Sequence, residues 1–438
     1  MRTTDNNCGK ILTELGDCTN IADLSDIANK NLVDLQENNP DLLIFPQSLG
    51  EYRDDIEKSH IFSLDKDNSL LTTYNLMGFV GRNDTQLTIT SRFAKDNQQD
   101  YFLHYMLQKV FSINLLNFDQ TTDKEYIWDF LLYLFPYFLK KAYMQGLYKA
   151  YKREECNDAN VKGTIDVKRH IRINIPFAGK VAYTTREHSY NNAVTQLVRH
   201  TIEHIKNHPF GNGILTNDSE TRDVVSKFCF VTQNSYDKNA RQKIISANLK
   251  PVSHPYFTEY KMLQKICLRI LKREKLTYGQ EKNKIYGLLF DGAWLWEEYL
   301  NTVLERIGFK HPKNKEYTGS IQLFSDNKHY PRYPDFYKDN IVLDAKYKSL
   351  KQNEAMDRND IHQIISYMYV LQANLSGFVY PEKEENKENT FEIGTLKGYG
   401  NSVKLWNIAI PQQKTKFRDF TETIRENENK LVEKLINE

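Results

Sequence analysis

Two short strand patterns, Arg332–Tyr337 and Asn340–Lys348, are joined through the polar turn Lys338-Asp339-Asn340. A helical pattern over Asp360–Ala373 and a further strand pattern at Leu375–Tyr380 follow them. An amphipathic helix precedes the first strand, so the order of elements is α-β-β-α-β. This order predicts a mixed α/β domain built around a central sheet.

The second strand pattern carries Asp344 and Lys346 two residues apart, and alternate residues of a strand share one face. We therefore expect these two side chains to project together, opposite a packed face formed by Ile341, Leu343, Ala345 and Tyr347. Asp335 follows Pro334 in the first strand pattern, so a hairpin would bring its carboxylate near Asp344. Two carboxylates suit Mg²⁺, which prefers hard oxygen ligands. Lys346 would then position a water or stabilise developing charge.

The two flanking helices carry further candidates. Glu297 lies at the edge of the apolar face of the predicted helix Gly287–Ile307 and would be a third metal ligand. Glu298 falls on the polar side, although two adjacent glutamates leave this assignment open by one position. Gln363 and Tyr367 are one helical turn apart and share a face, so they would contact DNA or brace the lysine. Taken singly, each of these residues is more often an ordinary boundary or surface residue than a catalytic one. The same holds for an isolated Asp-x-Lys pair.

The pattern along the rest of the chain divides it further. At 438 residues, two or three domains are expected. Strand and turn patterns predict a small β-rich module over residues 1–97. Helical spacing of apolar residues predicts a mainly helical middle region over residues 98–280, including Tyr126–Tyr151, which Pro136 should kink or break. With an α/β domain over residues 281–438, the expected fold class is a multidomain α+β protein.

Composition and charge exclude several classes of protein. Charged residues make up 26% of the chain and nearly balance at a net charge of +2, which excludes a polybasic DNA coat but not a local basic groove. The five cysteines include no CxxC pair, which argues against a disulfide framework or a structural zinc site. There is no signal-peptide pattern, and the most apolar run is too short to span a bilayer. We expect a cytoplasmic protein without membrane contact.

The candidate residues occur in a familiar order along the chain: Glu297, Asp335, Asp344-x-Lys346 and Gln363-x-x-x-Tyr367. This order resembles the PD-(D/E)xK nuclease superfamily, in the variant with a QxxxY helix that RecB-like nucleases carry. The resemblance implies that all six residues are catalytic and that the three acidic ones hold Mg²⁺. This chain departs from the commoner pattern only in having Asp rather than Glu before x-Lys.

Other segments are similar to McrC proteins, the nuclease subunits of McrBC-type (type IV) restriction systems. They are Gly78–Gly81 with Leu87–Phe93, Val161–Val167, Glu187–Val194 and Leu295–Tyr299. Within the third segment, Asn191 and Asn192 are expected to cap a helix rather than contact a partner.

This second resemblance implies a partner, the AAA+ GTPase McrB, which forms a ring and carries the DNA reader. It also implies that the N-terminal module docks on that ring, that it stimulates GTP hydrolysis, and that any dimerisation runs through the partner assembly. No GxxxxGK[ST] motif occurs in the chain, so we expect GTP on the partner and no nucleotide on this chain.

The sequence therefore predicts a Mg²⁺-dependent endonuclease subunit that cleaves double-stranded DNA in a two-component antiviral defence system. Two alternatives remain open. One is the nuclease of a LlaJI-like restriction system that does not depend on DNA modification, and a neighbouring methyltransferase gene would favour it. The other is a non-catalytic adaptor that activates an NTPase. The intact Asp335, Asp344 and Lys346 argue against this adaptor, because a decayed site would be expected to lose one of them.

Overall fold

The structure is a computed structural model, and it describes residues 1–16, 20–39, 42–46, 60–67, 69–94, 100–111, 123–208, 211–216, 218–272, 284–313, 318–326, 329–350, 356–383, 390–413 and 416–438. The chain forms two compact units. Unit 1 combines Met1–Leu116 with Gly279–Glu438, and unit 2 comprises Asn117–Tyr278. No helix in the described part of the chain has both the length and the apolar character that crossing a membrane requires.

The N-terminal part of unit 1 alternates short strands and helices. Its described elements are β1 (Arg2–Thr4), β2 (Lys10–Ile11), α1 (Ile21–Ser25), α2 (Leu32–Asn38), β3 (Leu42–Phe45), β4 (Phe62–Leu64), β5 (Leu70–Thr73), β6 (Leu76–Arg82), β7 (Thr85–Thr90) and α3 (Tyr101–Phe111). Asn20 and Asn31 begin α1 and α2, because their side chains accept hydrogen bonds from the first free backbone N–H groups. The predicted β-rich character of this region is confirmed, with short helices added.

Unit 2 combines helices with a small sheet in the order β8-β10-β9. Its described elements are α4 (Asp123–Met144), β8 (Ala150–Asp158), β9 (Thr164–Ile165), α5 (Val167–Ile173), β10 (Val181–Ser189), α6 (Ala193–Lys206), α7 (Gly211–Thr216), α8 (Ser219–Thr232), α9 (Arg241–Ala247) and α10 (Tyr260–Lys272). Pro136 lies inside α4 and does not end it. Asn192 caps α6 as predicted, since its side chain accepts a hydrogen bond from the Thr195 N–H at 3.0 Å.

The C-terminal part of unit 1 contains the elements that carry the candidate site. They are β11 (Ile285–Asp291), α11 (Gly292–Leu304), β12 (Ile321–Gln322), β13 (Pro331–Arg332), β14 (Phe336–Lys338), β15 (Ile341–Ala345), α12 (Arg358–Leu371), β16 (Leu375–Lys383), β17 (Thr390–Thr395), β18 (Ser402–Ile410) and α13 (Phe417–Ile436). The predicted α-β-β-α-β order is present from α11 to β16, with the two-residue strands β12 and β13 added before β14. The predicted helix Gly287–Ile307 starts later, because Ile285–Asp291 is a strand and the Asp291 side chain caps α11 at Trp294.

Strand β11 corrects the predicted domain boundaries. It pairs with β6 on one side and with β3 on the other, in a sheet of order β1-β7-β6-β11-β3. Residues 1–97 and 281–438 therefore share one sheet and one unit, and the middle region 98–280 contributes α3 to that unit as well. The β-rich module is not a separate domain, because its central strands find their partner about two hundred residues further along the chain.

The second sheet of unit 1 has the order β14-β15-β16-β18-β17. β14 and β15 form an antiparallel hairpin, whereas β15, β16 and β18 run parallel. Both α11 and α12 contact β15, and Val342, Leu343 and Asp344 are all buried. The expected division into a packed face and an open face is therefore wrong: helices cover both faces, as is usual for a parallel sheet.

A buried carboxylate joins three helices of unit 1. Glu428 of α13 is 1% exposed and accepts hydrogen bonds from the Tyr105 hydroxyl of α3 at 2.7 Å and the Tyr299 hydroxyl of α11 at 2.8 Å. Lys109 of α3 completes the group, with its Nζ 3.0 Å from the second Glu428 oxygen. Burying one carboxylate near a cation and two hydroxyl donors is tolerated because each of its oxygens is hydrogen-bonded. The group holds α11, and with it Glu297, in place.

Candidate active site

Asp344 and Lys346 lie together at the C-terminal end of β15. The Lys346 N–H donates to the Val379 carbonyl at 2.9 Å, which continues the pairing with β16 one residue beyond the strand. Asp344 is 3% exposed, and its Oδ2 is 2.8 Å from Lys346 Nζ. The two-residue spacing thus places a buried carboxylate and an ammonium group in direct contact.

Asp335 is brought to the same place by the β14–β15 hairpin. The register pairs Phe336 with Leu343, so the residue before β14 lies opposite the end of β15. Asp335 Oδ2 accepts a hydrogen bond from the Ala345 N–H at 2.7 Å. The structure therefore brings Asp335, Asp344 and Lys346 together, as the hairpin argument predicted.

The three charges strongly affect one another. Desolvation raises the pKa of Asp335 well above its usual range, and the carboxylates of Asp344 and Glu297 raise it further. Desolvation also raises the pKa of Asp344, although Lys346 opposes this effect. Desolvation alone would lower the pKa of Lys346, but Asp344 and Asp360 raise it above its ordinary value. The site thus places several acidic groups close to one lysine whose protonated form they favour.

Glu297, rather than Glu298, is the glutamate whose charge reaches Asp335. Glu298 Oε1 instead lies 3.9 Å from His311 Nε2, and the Nδ1 of this histidine lies 2.8 Å from the Asp335 carbonyl oxygen. His311 is also 3.8 Å from Glu297 and stacks on Phe336. The sequence analysis missed His311, because a lone histidine in a loop after α11 carries no recognisable motif.

Gln363 and Tyr367 support the segment that precedes Asp335. Gln363 Nε2 donates to the Tyr367 hydroxyl at 2.8 Å, and that hydroxyl donates to the Tyr333 carbonyl at 3.3 Å. Desolvation raises the pKa of Tyr367, and the carboxylates of Asp335 and Asp344 add to this rise. The pair therefore lies beside the two carboxylates and holds the chain that leads to Asp335.

Lys346 is held by another residue of the same helix. Its Nζ lies 2.8 Å from Asp360 Oδ1, and the second Asp360 oxygen is 3.1 Å from Lys348 Nζ. The sequence analysis missed Asp360, although its place three residues before Gln363 puts both on neighbouring positions of α12. Asp360 therefore braces the lysine, which is one of the two roles predicted for Gln363 and Tyr367.

The donor atoms fit a Mg²⁺ ion only in part. Asp335 and Asp344 offer hard carboxylate oxygens, and Mg²⁺ is commonly held by one or two carboxylates plus waters. Within the described ranges, however, no group of three or more His, Cys, Asp or Glu side chains is arranged to hold a metal. Glu297 therefore does not join the two aspartates as a ready third ligand in the described part of the chain. The two aspartates would hold the ion.

Comparison with known proteins identifies the family. Residues 71–381 match the family model described as McrBC 5-methylcytosine restriction system component. No curated protein sequence matches the chain. One similar solved structure is a half-complex from a Thermococcus gammatolerans tetradecameric assembly of McrB AAA+ hexamers with bound McrC. It is 14% identical and has a TM-score of 0.48, with 97% of this chain and 99% of that chain covered.

A second similar structure is the Thermococcus gammatolerans McrBC complex. It is 13% identical, with a TM-score of 0.33 and coverage of 70% of this chain and 87% of that chain. The family assignment rests on the sequence match, which extends over most of the 438 residues. The chain belongs to the McrBC family of 5-methylcytosine restriction system components.

Proposed function

We propose that this chain is the McrC-like nuclease subunit of its restriction system and hydrolyses phosphodiester bonds of double-stranded DNA with Mg²⁺. The observation that carries the proposal is the buried Asp344 in contact with Lys346, with the Asp335 carboxylate held beside them by the Ala345 N–H. Burial raises the pKa of both carboxyl groups, and the charge of Asp344 raises the pKa of Asp335 further; such perturbed groups are concentrated at functional sites. The elements β14, β15, α12 and β16 carry the site residues in the order that the resemblance to PD-(D/E)xK nucleases implies, which supports the proposal.

The residues of the site have distinct roles in this mechanism. Asp335 and Asp344 would hold Mg²⁺, which supplies charge neutralisation at the scissile phosphate and activation of a water. Lys346 stays protonated because its pKa is raised, so it stabilises negative charge on the phosphate rather than accepting a proton. Asp360 fixes the position of that ammonium group. Gln363 and Tyr367 fix the segment leading to Asp335.

Removal of Mg²⁺ is the direct test of this function. With its AAA+ partner, GTP and Mg²⁺, the protein should cut DNA, and EDTA should abolish cleavage. Mg²⁺ should also raise the melting temperature of the protein alone, since a ligand that binds only the native state stabilises it by about 2.7 kcal/mol at a hundred times its dissociation constant.

An Asp335→Asn, Asp344→Asn double variant should lose this thermal stabilisation, and cleavage in EDTA would contradict the proposal. Comparing methylated with unmethylated DNA in the same assay separates a McrBC-type from a LlaJI-like system. Stimulation of the partner NTPase without any cleavage would instead support the adaptor.

We also propose that the chain binds a McrB-like AAA+ GTPase ring and stimulates it. The sequence analysis assigned this docking to residues 1–97, and that assignment remains a prediction. The structure offers a second surface in unit 2, where one short stretch exposes many apolar side chains: Val161, Ile165, Val167, Ile171, Ile173, Ile175 and Phe177. Contiguous exposed apolar groups of this kind mark protein interaction sites. The stretch includes the McrC-like segment Val161–Val167, whose exposed apolar residues are not packed in a hydrophobic core.

Replacing Val167 and Ile171 by serine should weaken binding of the partner about tenfold and lower NTPase stimulation accordingly. The two side chains are 61% and 56% exposed and lie one turn apart on α5, so their removal should not disturb the fold of unit 2. Co-purification and GTP hydrolysis with titrated partner measure the effect. Phe230→Ser is the matched control, since Phe230 is 77% exposed on α8 of the same unit. Equal partner affinity for both variants would exclude this surface.

A further inference from the structure

An open cavity lies next to the short strands β12 and β13. β12 and β13 form an antiparallel hairpin, with Ile321 opposite Arg332. The cavity measures about 470 Å³ and is lined by Leu323, Phe324, Asp326, Tyr330 and Arg332. None of these residues has a part in the mechanism proposed above.

Two aromatic side chains dominate this cavity. Phe324 and Tyr330 are 48% and 49% exposed, and their rings meet edge to face with centroids 5.6 Å apart. Scattered exposed apolar residues are ordinary, but two large rings held together at the wall of an open cavity form a platform for a flat ligand. About half of each side chain is exposed, so part of the ring surface is open to a ligand.

The polar side chains of the cavity suit the rest of a nucleotide. Arg332 donates to the Pro331 carbonyl at 3.0 Å, and the guanidinium offers further N–H donors that could bind a phosphate. Asp326 supplies an acceptor that matches the exocyclic amine of a base. Aromatic rings, a cation and a carboxylate that line one cavity therefore match a nucleobase with its adjoining phosphate.

The cavity is also close to the candidate active site along the chain. Arg332 is followed by Tyr333, whose carbonyl accepts the Tyr367 hydrogen bond, and then by Asp335. Tyr330 and Asp335 are five positions apart in the chain, so their Cα atoms lie at most about 17 Å apart. At about 3.4 Å of rise per base along one strand, this distance corresponds to roughly five nucleotides.

We propose that Phe324 and Tyr330 bind an unstacked nucleobase of the DNA strand that enters the active site. Arg332 contacts the neighbouring backbone phosphate, and Asp326 accepts a hydrogen bond from the base. The hairpin thereby selects DNA whose bases are locally unpaired or easily unstacked near the cut. This inference rests on the proposed nuclease function, although binding can be measured without cleavage.

The test compares two labelled DNA duplexes of equal length, one fully paired and one with a short unpaired tract, at low salt. The full-length Phe324→Ala, Tyr330→Ala variant should bind the duplex with the unpaired tract at least tenfold more weakly, since base stacking on aromatic side chains is lost. Its affinity for the fully paired duplex should change much less. A Phe324→Trp, Tyr330→Trp variant should retain the preference.

A matched control exists elsewhere in unit 1. Tyr369 and Tyr399 form a similar exposed edge-to-face pair, with centroids 6.2 Å apart, and their double alanine variant should bind both DNAs like the wild type. Arg332→Gln should weaken binding of both DNAs and reduce the salt dependence of binding by about one phosphate contact. The aromatic variant should leave the salt dependence unchanged.

Unaltered DNA affinity of the Phe324→Ala, Tyr330→Ala variant, or an equal loss in the Tyr369/Tyr399 control, would overturn the proposal, as would a wild type that binds neither DNA. The binding test can fail or succeed separately from the cleavage test, so the two proposals can be told apart. If the variant loses binding and the wild type shows no Mg²⁺-dependent cleavage, the base-binding role of Phe324 and Tyr330 is supported and the proposed nuclease function is rejected. If the wild type cleaves DNA and the variant binds it unaltered, the nuclease function is supported and the base-binding role is rejected.

Discussion

Replacing Asp344 by asparagine is expected to lower Mg²⁺-dependent DNA cleavage by at least about a thousandfold. The change removes one of the two carboxylates that would hold the metal, and metal stabilisation of transition-state charge contributes several kcal/mol. A loss of about 4 kcal/mol corresponds to that factor in rate. Single-turnover cleavage of linear DNA with partner and GTP measures it. Stimulation of the partner NTPase should be unchanged.

The fold should tolerate this substitution. Burial raises the pKa of Asp344, so the ionised carboxylate is disfavoured in the folded protein, and an amide of the same shape removes that cost. Lys346 keeps Asp360 as its partner at 2.8 Å. The melting temperature without Mg²⁺ should therefore be equal or higher. Asp357→Asn is the control, because it makes the same charge change at the exposed cap of α12. An Asp344→Asn protein that cuts at the wild-type rate would refute the site.

Replacing Glu428 by alanine is expected to lower the free energy of unfolding of unit 1 by about 3–5 kcal/mol. The substitution leaves Lys109 as an unpaired, largely buried cation, and breaking a buried ion pair costs about this much. It also deprives the Tyr105 and Tyr299 hydroxyls of their acceptor. Urea unfolding followed by tryptophan fluorescence measures the change, since three of the four tryptophans lie in unit 1: Trp294, Trp296 and Trp406.

Glu422→Ala on the same helix provides the comparison. Glu422 pairs with Arg418 at 3.1 Å, and their side chains are 60% and 82% exposed, so solvent screens the pair. Exposed ion pairs of this kind contribute at most about 1 kcal/mol. A Glu428→Ala variant that unfolds at the same urea concentration as Glu422→Ala would show that the buried group does not hold the three helices together.

The local order of elements around the site was predictable from the sequence. The hairpin that joins β14 to β15 has a turn signal and alternating residues, and α12 has clear helical spacing, so both follow from short-range patterns. The meeting of Asp335 with Asp344 follows from the hairpin alone. These features depend on residues within about thirty positions of one another, which is the range that sequence patterns report.

The other features of the fold and of the site depend on long-range contacts, which no local sequence pattern reveals. Ile285–Asp291 is buried between β6 and β3, and an apolar run buried on both sides has the same pattern in a helix and in a strand. Asp360 and His311 acquire their roles only through tertiary neighbours. Glu428 looked like one charge among many on the last helix, because its partners Tyr105 and Tyr299 lie more than a hundred residues away.

The position of β11 at the centre of its sheet also affects how the protein folds during synthesis. β6 ends at Arg82, and its neighbour β11 begins at Ile285, so roughly 200 residues must be translated before the sheet can close. At about 5–20 residues per second, this interval lasts roughly 10–40 s. Unit 2 lies wholly within the interval and can fold on the ribosome first. Until β11 emerges, the edges of β3 and β6 that pair with it stay open, and open strand edges of this kind favour aggregation.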